Sequence, residues 1–214
     1  MSAAAVVCLT LVLAQPHAHA CRTSATSDRA SALCIHTDPN IVFADVDLEI
    51  AIDNVTTAVF IHSGQVCSSG TRLVVEESIA DALVDGVVAK ANKIVMGNGL
   101  DPASETGPLV SQLQLDKARE FVALAKQEGA VLRCGGAPPD AQQFPHLSKG
   151  FFFLPTVFDR CERTMRIVQE ETFAPILTVE RFPDGDEERA VSGRANSALG
   201  LALAGSYSAS FSFR

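Results

Sequence analysis

The sequence predicts an α/β layer structure. Three observations carry that expectation: strand-like and helix-like segments alternate from residue 40 onward, each helical segment has one apolar face, and Gly, Pro or Asn marks the ends of several segments. At 214 residues, with 47 % hydrophobic and 20 % charged residues, the chain is long enough for one core and ordinary for a globular domain.

Residues 1–38 show neither a helical nor a strand period, and 21–31 are rich in Ser, Thr and Arg. An Ala/Val/Leu run from Ala3 to Ala14 imitates the apolar part of an export signal but lacks a positive start. The expectation is a disordered leader on a cytoplasmic protein. His17, His19 and Cys21 alternate as ligands on an extended segment would, without a second pair at zinc-site spacing, so no metal site is expected. The six cysteines include no CxxC pair, and no disulfide framework is indicated.

Ile41-Val42-Phe43 is a short buried strand or its end. Asp45 or Asp47 then caps a helix whose Leu48, Ala51, Ile52, Val55 and Val59 fall on one face. That helix runs into a loop of small residues, Ser63–Gly70, and a β-branched strand, Thr71–Glu76. Ser78 is expected to cap a second helix with Ile79, Leu83, Val87, Ala91 and Ile94 inward, ended by Gly97-Asn98-Gly99. A third helix starts near Ser111, keeps Leu115, Ala118, Val122 and Ala125 inward, and stops at Gly129 before a strand from Ala130 to Arg133. Phe151–Phe158 and Pro175–Phe182 read as two more strands, and a last helix is expected to start near Asp184.

A net charge of −8, one Tyr and no Trp leave neither a basic surface for phosphates nor stacking platforms for bases, so nucleic acid is not an expected partner. No apolar run approaches the roughly 20 residues of a membrane-spanning helix.

Cys67 is the most informative residue. A thiol in a tight Gly/Ser loop after an amphipathic helix lies open to a substrate among backbone N–H groups that can stabilise a thiolate or an oxyanion. Its surroundings, Phe60–Thr71 (FIHSGQVCSSGT), resemble the nucleophile motif of the aldehyde dehydrogenase superfamily, whose core is Gly-Gln-x-Cys. Pro39-Asn40-Ile41-Val42-Phe43 resembles the segment leading to the family's nucleophile helix. Gly97–Val110 (GNGLDPASETGPLV) is similar to its substrate-domain loop, and Phe151–Val157 (FFFLPTV) to its Pro-Thr strand. Glu170–Pro175 (EETFAP) resembles the Glu-Glu-x-Phe-Gly-Pro motif at the nicotinamide end of the cofactor. Wording around Cys67 and in the 97–110 loop is nearest betaine-aldehyde-type members.

The resemblance implies an aldehyde-dehydrogenase-like catalytic domain over 39–203, incomplete and lacking the dinucleotide-binding domain, between an unmatched leader (1–38) and an unmatched tail (204–214). It implies NAD or NADP as cofactor, a small-molecule aldehyde as substrate and a homo-oligomeric parent. Cys67 would attack the aldehyde carbon, and the Cys67 N–H would help hold the oxyanion. Gly64 and Gln65 would shape the nucleophile loop. Glu171 would bond the nicotinamide ribose, and Phe173 would pack near the nicotinamide.

The likeness also implies losses. The family's Glu-Leu-Gly-Gly-Lys motif falls on Leu33-Cys34-Ile35-His36-Thr37, so Leu33 stands where the general-base Glu belongs, and an alkyl group cannot deprotonate water. Ala174 replaces the motif Gly, and Leu199 stands at an aromatic position of the Arg194–Ala202 run. A truncated or frameshifted reading frame is expected to look like this, with little or no turnover from the chain alone. A non-catalytic remnant that associates with an intact relative, or with itself, is the second expectation. A third keeps Cys67 as a cofactor-free thiol hydrolase with His62 or His146 as base.

Overall fold

The structure, a computed structural model, describes residues 39–186 together with the backbone of 202–204. In chain order it contains β1 (Pro39–Val42), α1 (Leu48–Phe60), β2 (Arg72–Glu76), α2 (Glu77–Ala91), α3 (Gln112–Glu128) and β3 (Val131–Cys134). β4 (Thr156–Asp159), α4 (Arg166–Gln169), β5 (Ile176–Phe182) and β6 (Ala202–Ala204) complete it. The strands form one sheet in the order β3-β4-β5-β2-β1-β6, parallel throughout except for β3, which pairs antiparallel with β4. This is the α/β class expected from the alternation of elements.

A parallel sheet is covered on both faces, which is why its strands read as near-continuous apolar runs. One face carries Val42, Leu73, Val75, Val157, Leu177 and Val179 under α1 and α2. The other presents Phe158 and Ile176 to α3 and α4, with Ile41, Val74 and Phe182 further along. Each fully buried Leu, Val or Phe contributes about 1.5–3 kcal/mol relative to exposure. The inward residues named from periodicity are buried, apart from Leu48, Ile79 and Ile94, which are half-buried. Phe121 joins them on α3.

The helix ends show which cues operate. Asp47, not Asp45, caps α1, its side chain accepting the Ile50 N–H. Ser111 caps α3 through the Gln114 N–H, and Gly129 ends it in the left-handed conformation at φ +98°. The expected cap at Ser78 is not formed. β2 passes directly into α2 with Glu76 as the flanking residue, and the Ser78 N–H instead donates to Asp184 Oδ1 at 3.0 Å. α2 also ends at Ala91, short of Ile94.

The expected strand Phe151–Phe158 is a strand only from Thr156. Pro155 has no N–H to offer a ladder, and the residues before it bond to loops: the Phe151 carbonyl accepts from Leu109, and the Leu154 N–H donates to Ala137. At the expected start of the last helix, Asp184 and Gly185 form a turn closed by the Asp186 N–H on the Pro183 carbonyl at 3.0 Å; residues 1–38, 187–201 and 205–214, with Leu33 and Leu199, lie outside the described residues.

Candidate active site

Parallel pairing of β1 with β2 determines where Cys67 lies. α1 departs from the C-terminal end of β1, and the chain must return to the N-terminal end of β2. Residues 61–71 make that return. β5 lies beside β2 in parallel, so the Glu171–Pro175 segment that precedes it reaches the same edge. Two motifs about a hundred residues apart therefore meet.

Cys67 is exposed, at the tip of a tight turn closed by the Ser69 N–H on the Val66 carbonyl at 3.0 Å. The N–H groups of Val66, Cys67 and Ser68 donate to no acceptor among the described residues, and unpaired N–H groups in a tight turn can receive an anion. On either flank a buried serine is fastened down. Ser69 Oγ donates to the Ala58 carbonyl at 2.9 Å, one of the last carbonyls of α1. Ser63 Oγ lies 2.6 Å from the Gly107 carbonyl and 2.9 Å from Thr106 Oγ1.

Three successive residues before Cys67 are left-handed: His62 at φ +49°, Ser63 at +58° and Gly64 at +68°. For His and Ser this costs on the order of 1–2 kcal/mol each, and such strain gathers at functional sites. Gly64 has a second constraint, since a Cβ there would lie 2.2 Å from the Ala174 carbonyl oxygen. Gln65 holds the loop from another side, its Oε1 accepting the Val110 N–H at 3.0 Å.

Glu171 and Phe173 are half-buried on the facing segment. Phe173 is itself left-handed at φ +54°, while Ala174 is not, so alanine at the motif's glycine position fits without backbone strain. Gln114 Nε2 donates to the Thr172 and Phe173 carbonyls at 2.7 and 2.9 Å, and Lys117 Nζ to the Glu171 carbonyl at 2.8 Å. Gln114 and Lys117 are three apart on α3 and share a face. Sequence reasoning missed them, along with Ser63, Ser69 and Thr106. Their spacing on α3 and the hydroxyl-rich loop were the available signals.

Neither candidate histidine is bonded to the thiol. His62 is exposed and makes no side-chain hydrogen bond among the described residues, and His146 meets Phe144 edge-on at 6.4 Å in a separate cavity of about 440 Å³ lined also by Ile94, Met96 and Leu147. Cys134 and Cys161 are unlike Cys67. Burial pushes both thiols up, that of Cys161 to about 12. No cluster of metal-ligand side chains occurs among the described residues. No helix there is long and apolar enough to cross a membrane.

A thiol turn and a carboxylate-and-ring segment thus share one edge of an α/β sheet. Comparison with known proteins names the family. The sequence model described as "Aldehyde dehydrogenase family" matches residues 18–208. A betaine aldehyde dehydrogenase of Bacillus subtilis is 47 % identical over 150 residues, covering 70 % of this chain and 30 % of its own length. One from Brucella ovis is 44 % identical over 175 residues, covering 81 % and 34 %. A Staphylococcus aureus betaine aldehyde dehydrogenase, a point mutant solved with NAD+ and a BME-modified cysteine, superposes with a TM-score of 0.73 at 38 % identity, covering 79 % of this chain and 34 % of that one. The chain belongs to the aldehyde dehydrogenase family and spans about a third of the length of these relatives.

Proposed function

We propose that the chain carries the nucleophile-bearing part of NAD(P)-dependent aldehyde oxidation, with Cys67 as the nucleophile. The single observation behind this is the exposed Cys67 turn, with three N–H groups unpartnered among the described residues, set against the Glu171–Pro175 segment. Betaine aldehyde is the substrate suggested by the relatives' names.

The described residues fit one end of a nicotinamide dinucleotide. Glu171 offers a carboxylate to a pair of ribose hydroxyls, and Phe173 a ring to an aromatic face, on a backbone anchored by Gln114 and Lys117. They do not fit its pyrophosphate. The helix starts that follow β1 and β2 carry Asp47, Glu49, Glu76 and Glu77, whose charges repel phosphates. The cofactor, when bound, accepts the hydride.

The chain's own steps are fewer. The Cys67 thiolate attacks the aldehyde carbon, forming the C–S bond as the carbonyl π electrons move to oxygen. The turn's N–H groups hold that oxyanion. After hydride loss the thioester carbon accepts water, the C–S bond breaks, and the thiol and a carboxylic acid are released. The water needs a general base, and the resemblance puts Leu33 at that position, so turnover by the chain alone is expected to be very low. The test is cofactor reduction by the purified chain with betaine aldehyde and NAD. Robust reduction abolished by Cys67→Ser would refute the expected inactivity while keeping the nucleophile. Robust reduction surviving Cys67→Ser would refute the nucleophile.

A second reading has its own support. Ile61 beside the Cys67 loop, Val110 bonded to it and Leu113 at the start of α3 are 45, 78 and 81 % exposed, a degree of apolar exposure suited to association with an intact relative. Co-purification with a full-length aldehyde dehydrogenase, lost on Val110→Lys and Leu113→Lys together, would favour it. The domain limits 39–203 and a cytoplasmic location remain part of this proposal.

A further inference from the structure

The left-handed run before Cys67 is strained, buried at Ser63, and held by side chains that take no part in the steps above. A hydroxyl has one proton. Ser63 Oγ spends its proton on the Gly107 carbonyl, at 2.6 Å, so the 2.9 Å contact with Thr106 is a bond donated by Thr106 Oγ1 to Ser63 Oγ. Thr106 is 9 % exposed and anchored in turn: its N–H donates to the Val95 carbonyl, its carbonyl accepts the Gly97 N–H at 3.0 Å, and it bridges to Met96 in parallel. The relay therefore ends on fixed backbone.

We propose that Thr106 and Ser63 are positioning residues, a buried hydroxyl pair that holds residues 62–64 left-handed and thereby sets the Cys67 turn with its N–H groups beside the thiol. This rests on Cys67 being the nucleophile. Nothing else among the described residues holds the Ser63 side chain. Gly64 is constrained by a close approach and Gln65 by one bond to Val110, neither of which fixes the torsions of His62 and Ser63. Without the relay those two residues relax toward ordinary right-handed or extended backbone, and the turn four residues on changes direction. The thiol then loses N–H support for its ionised form.

Thr106→Val keeps the shape of the side chain and removes the donor, whereas Thr106→Ser keeps the donor. The full-length chain and both variants are treated with iodoacetamide across a pH series, and alkylation is followed at Cys67 by peptide mass spectrometry. Urea unfolding of each is measured in parallel. We expect the parent thiol to react at least tenfold faster near neutral pH than in the urea-unfolded chain. Thr106→Val moves the pH–rate profile to higher pH and slows the neutral-pH rate about fivefold or more, and Thr106→Ser restores both to within twofold. A general loss of stability would not move the profile of the folded fraction. If the folded parent reacts no faster than the unfolded chain, the nucleophile reading falls and the relay with it. If the parent is fast and Thr106→Val matches it, or if Thr106→Ser is as impaired as Thr106→Val, the relay alone is overturned.

Discussion

Gly64→Ala is the sharpest stability test of the junction between the two loops. A Cβ at this position meets the Ala174 oxygen at 2.2 Å, its carbonyl carbon at 2.5 Å and the Pro175 nitrogen at 2.9 Å, all backbone atoms that cannot swing aside. At φ +68° an alanine also carries a left-handed penalty of about 1–2 kcal/mol. Forcing the loops apart adds about 1–3 kcal/mol, the usual range for overpacking. The sum, about 2–5 kcal/mol, is a large share of a domain stability of roughly 5–15 kcal/mol. Gly129 provides the control. It is left-handed at φ +98° with nothing within 4 Å of a built Cβ, so Gly129→Ala incurs the conformational penalty alone. Urea denaturation of both variants isolates the contact. With a slope of about 1–3 kcal/mol per molar, Gly64→Ala should unfold at a midpoint lower than Gly129→Ala by about 1 M. Equal midpoints would refute the claim that the Cys67 loop and the Ala174–Pro175 backbone are in close contact.

Three other outcomes are expected. Limited alkylation at neutral pH should modify Cys67 well before Cys134 or Cys161, whose thiols burial pushes up; peptide mapping that finds Cys161 labelled first would contradict this. Asp159 is 2 % exposed; burial raises its pKa, but bonds from Arg181, the Arg160 N–H and Arg133 outweigh that and hold it below the usual carboxylate range. Its stabilisation is therefore present above pH of about 4 and lost as pH falls through the lowered value. Asp159→Asn should cost about 3 kcal/mol at neutral pH, the low end for breaking a buried pair because Arg181 keeps Asp81 and Glu77, and should flatten the acid limb of a stability–pH curve. An unchanged limb would count against it. Ser111→Ala removes the cap of α3 and should lower stability by about 1 kcal/mol, read as a small fall in urea midpoint, while Ser78→Ala, which leaves the backbone bond to Asp184 intact, should change it by less than about 0.5 kcal/mol.

Helix faces were legible because burial follows the 3.6-residue period directly: Ala51, Ile52, Val55 and Val59 point inward for the reason their spacing suggests. Caps were half legible. Asp47 and Ser111 act as their residue types predict, but Ser78 does not, because β2 leaves no connecting residue before α2 and the cap position falls on Glu76. Phe151–Phe158 misled because an apolar run does not say whether its backbone joins a ladder. At the site, Cys67, Gly64, Gln65, Glu171 and Phe173 came from motif likeness, and the structure brings their two segments to one edge. The side chains that hold those segments were not legible. Ser63 with Thr106 and Gln114 with Phe173 are separations of 43 and 59 residues, and only the tertiary fold joins them.

The edge at which Cys67 lies raises a physical problem that the loop resolves. In open α/β sheets ligands usually gather at the C-terminal ends of the strands, where helix N-termini face them. Here that edge is given to structure: Arg181 pairs with Asp159, Asp81 and Glu77, and Arg133 joins Asp159 to Asp85. The thiol sits instead beyond the C-terminus of α1, where the helix dipole is negative and disfavours a thiolate. Two features counter that field. Ser69 Oγ donates to the Ala58 carbonyl in the last turn of α1, and residues 62–64 leave that helix in left-handed backbone. Beyond that run the Val66, Cys67 and Ser68 N–H groups donate to no acceptor among the described residues. On the proposed role of Cys67, the strain in His62 and Ser63 would serve to put N–H groups rather than helix carbonyls beside the thiol.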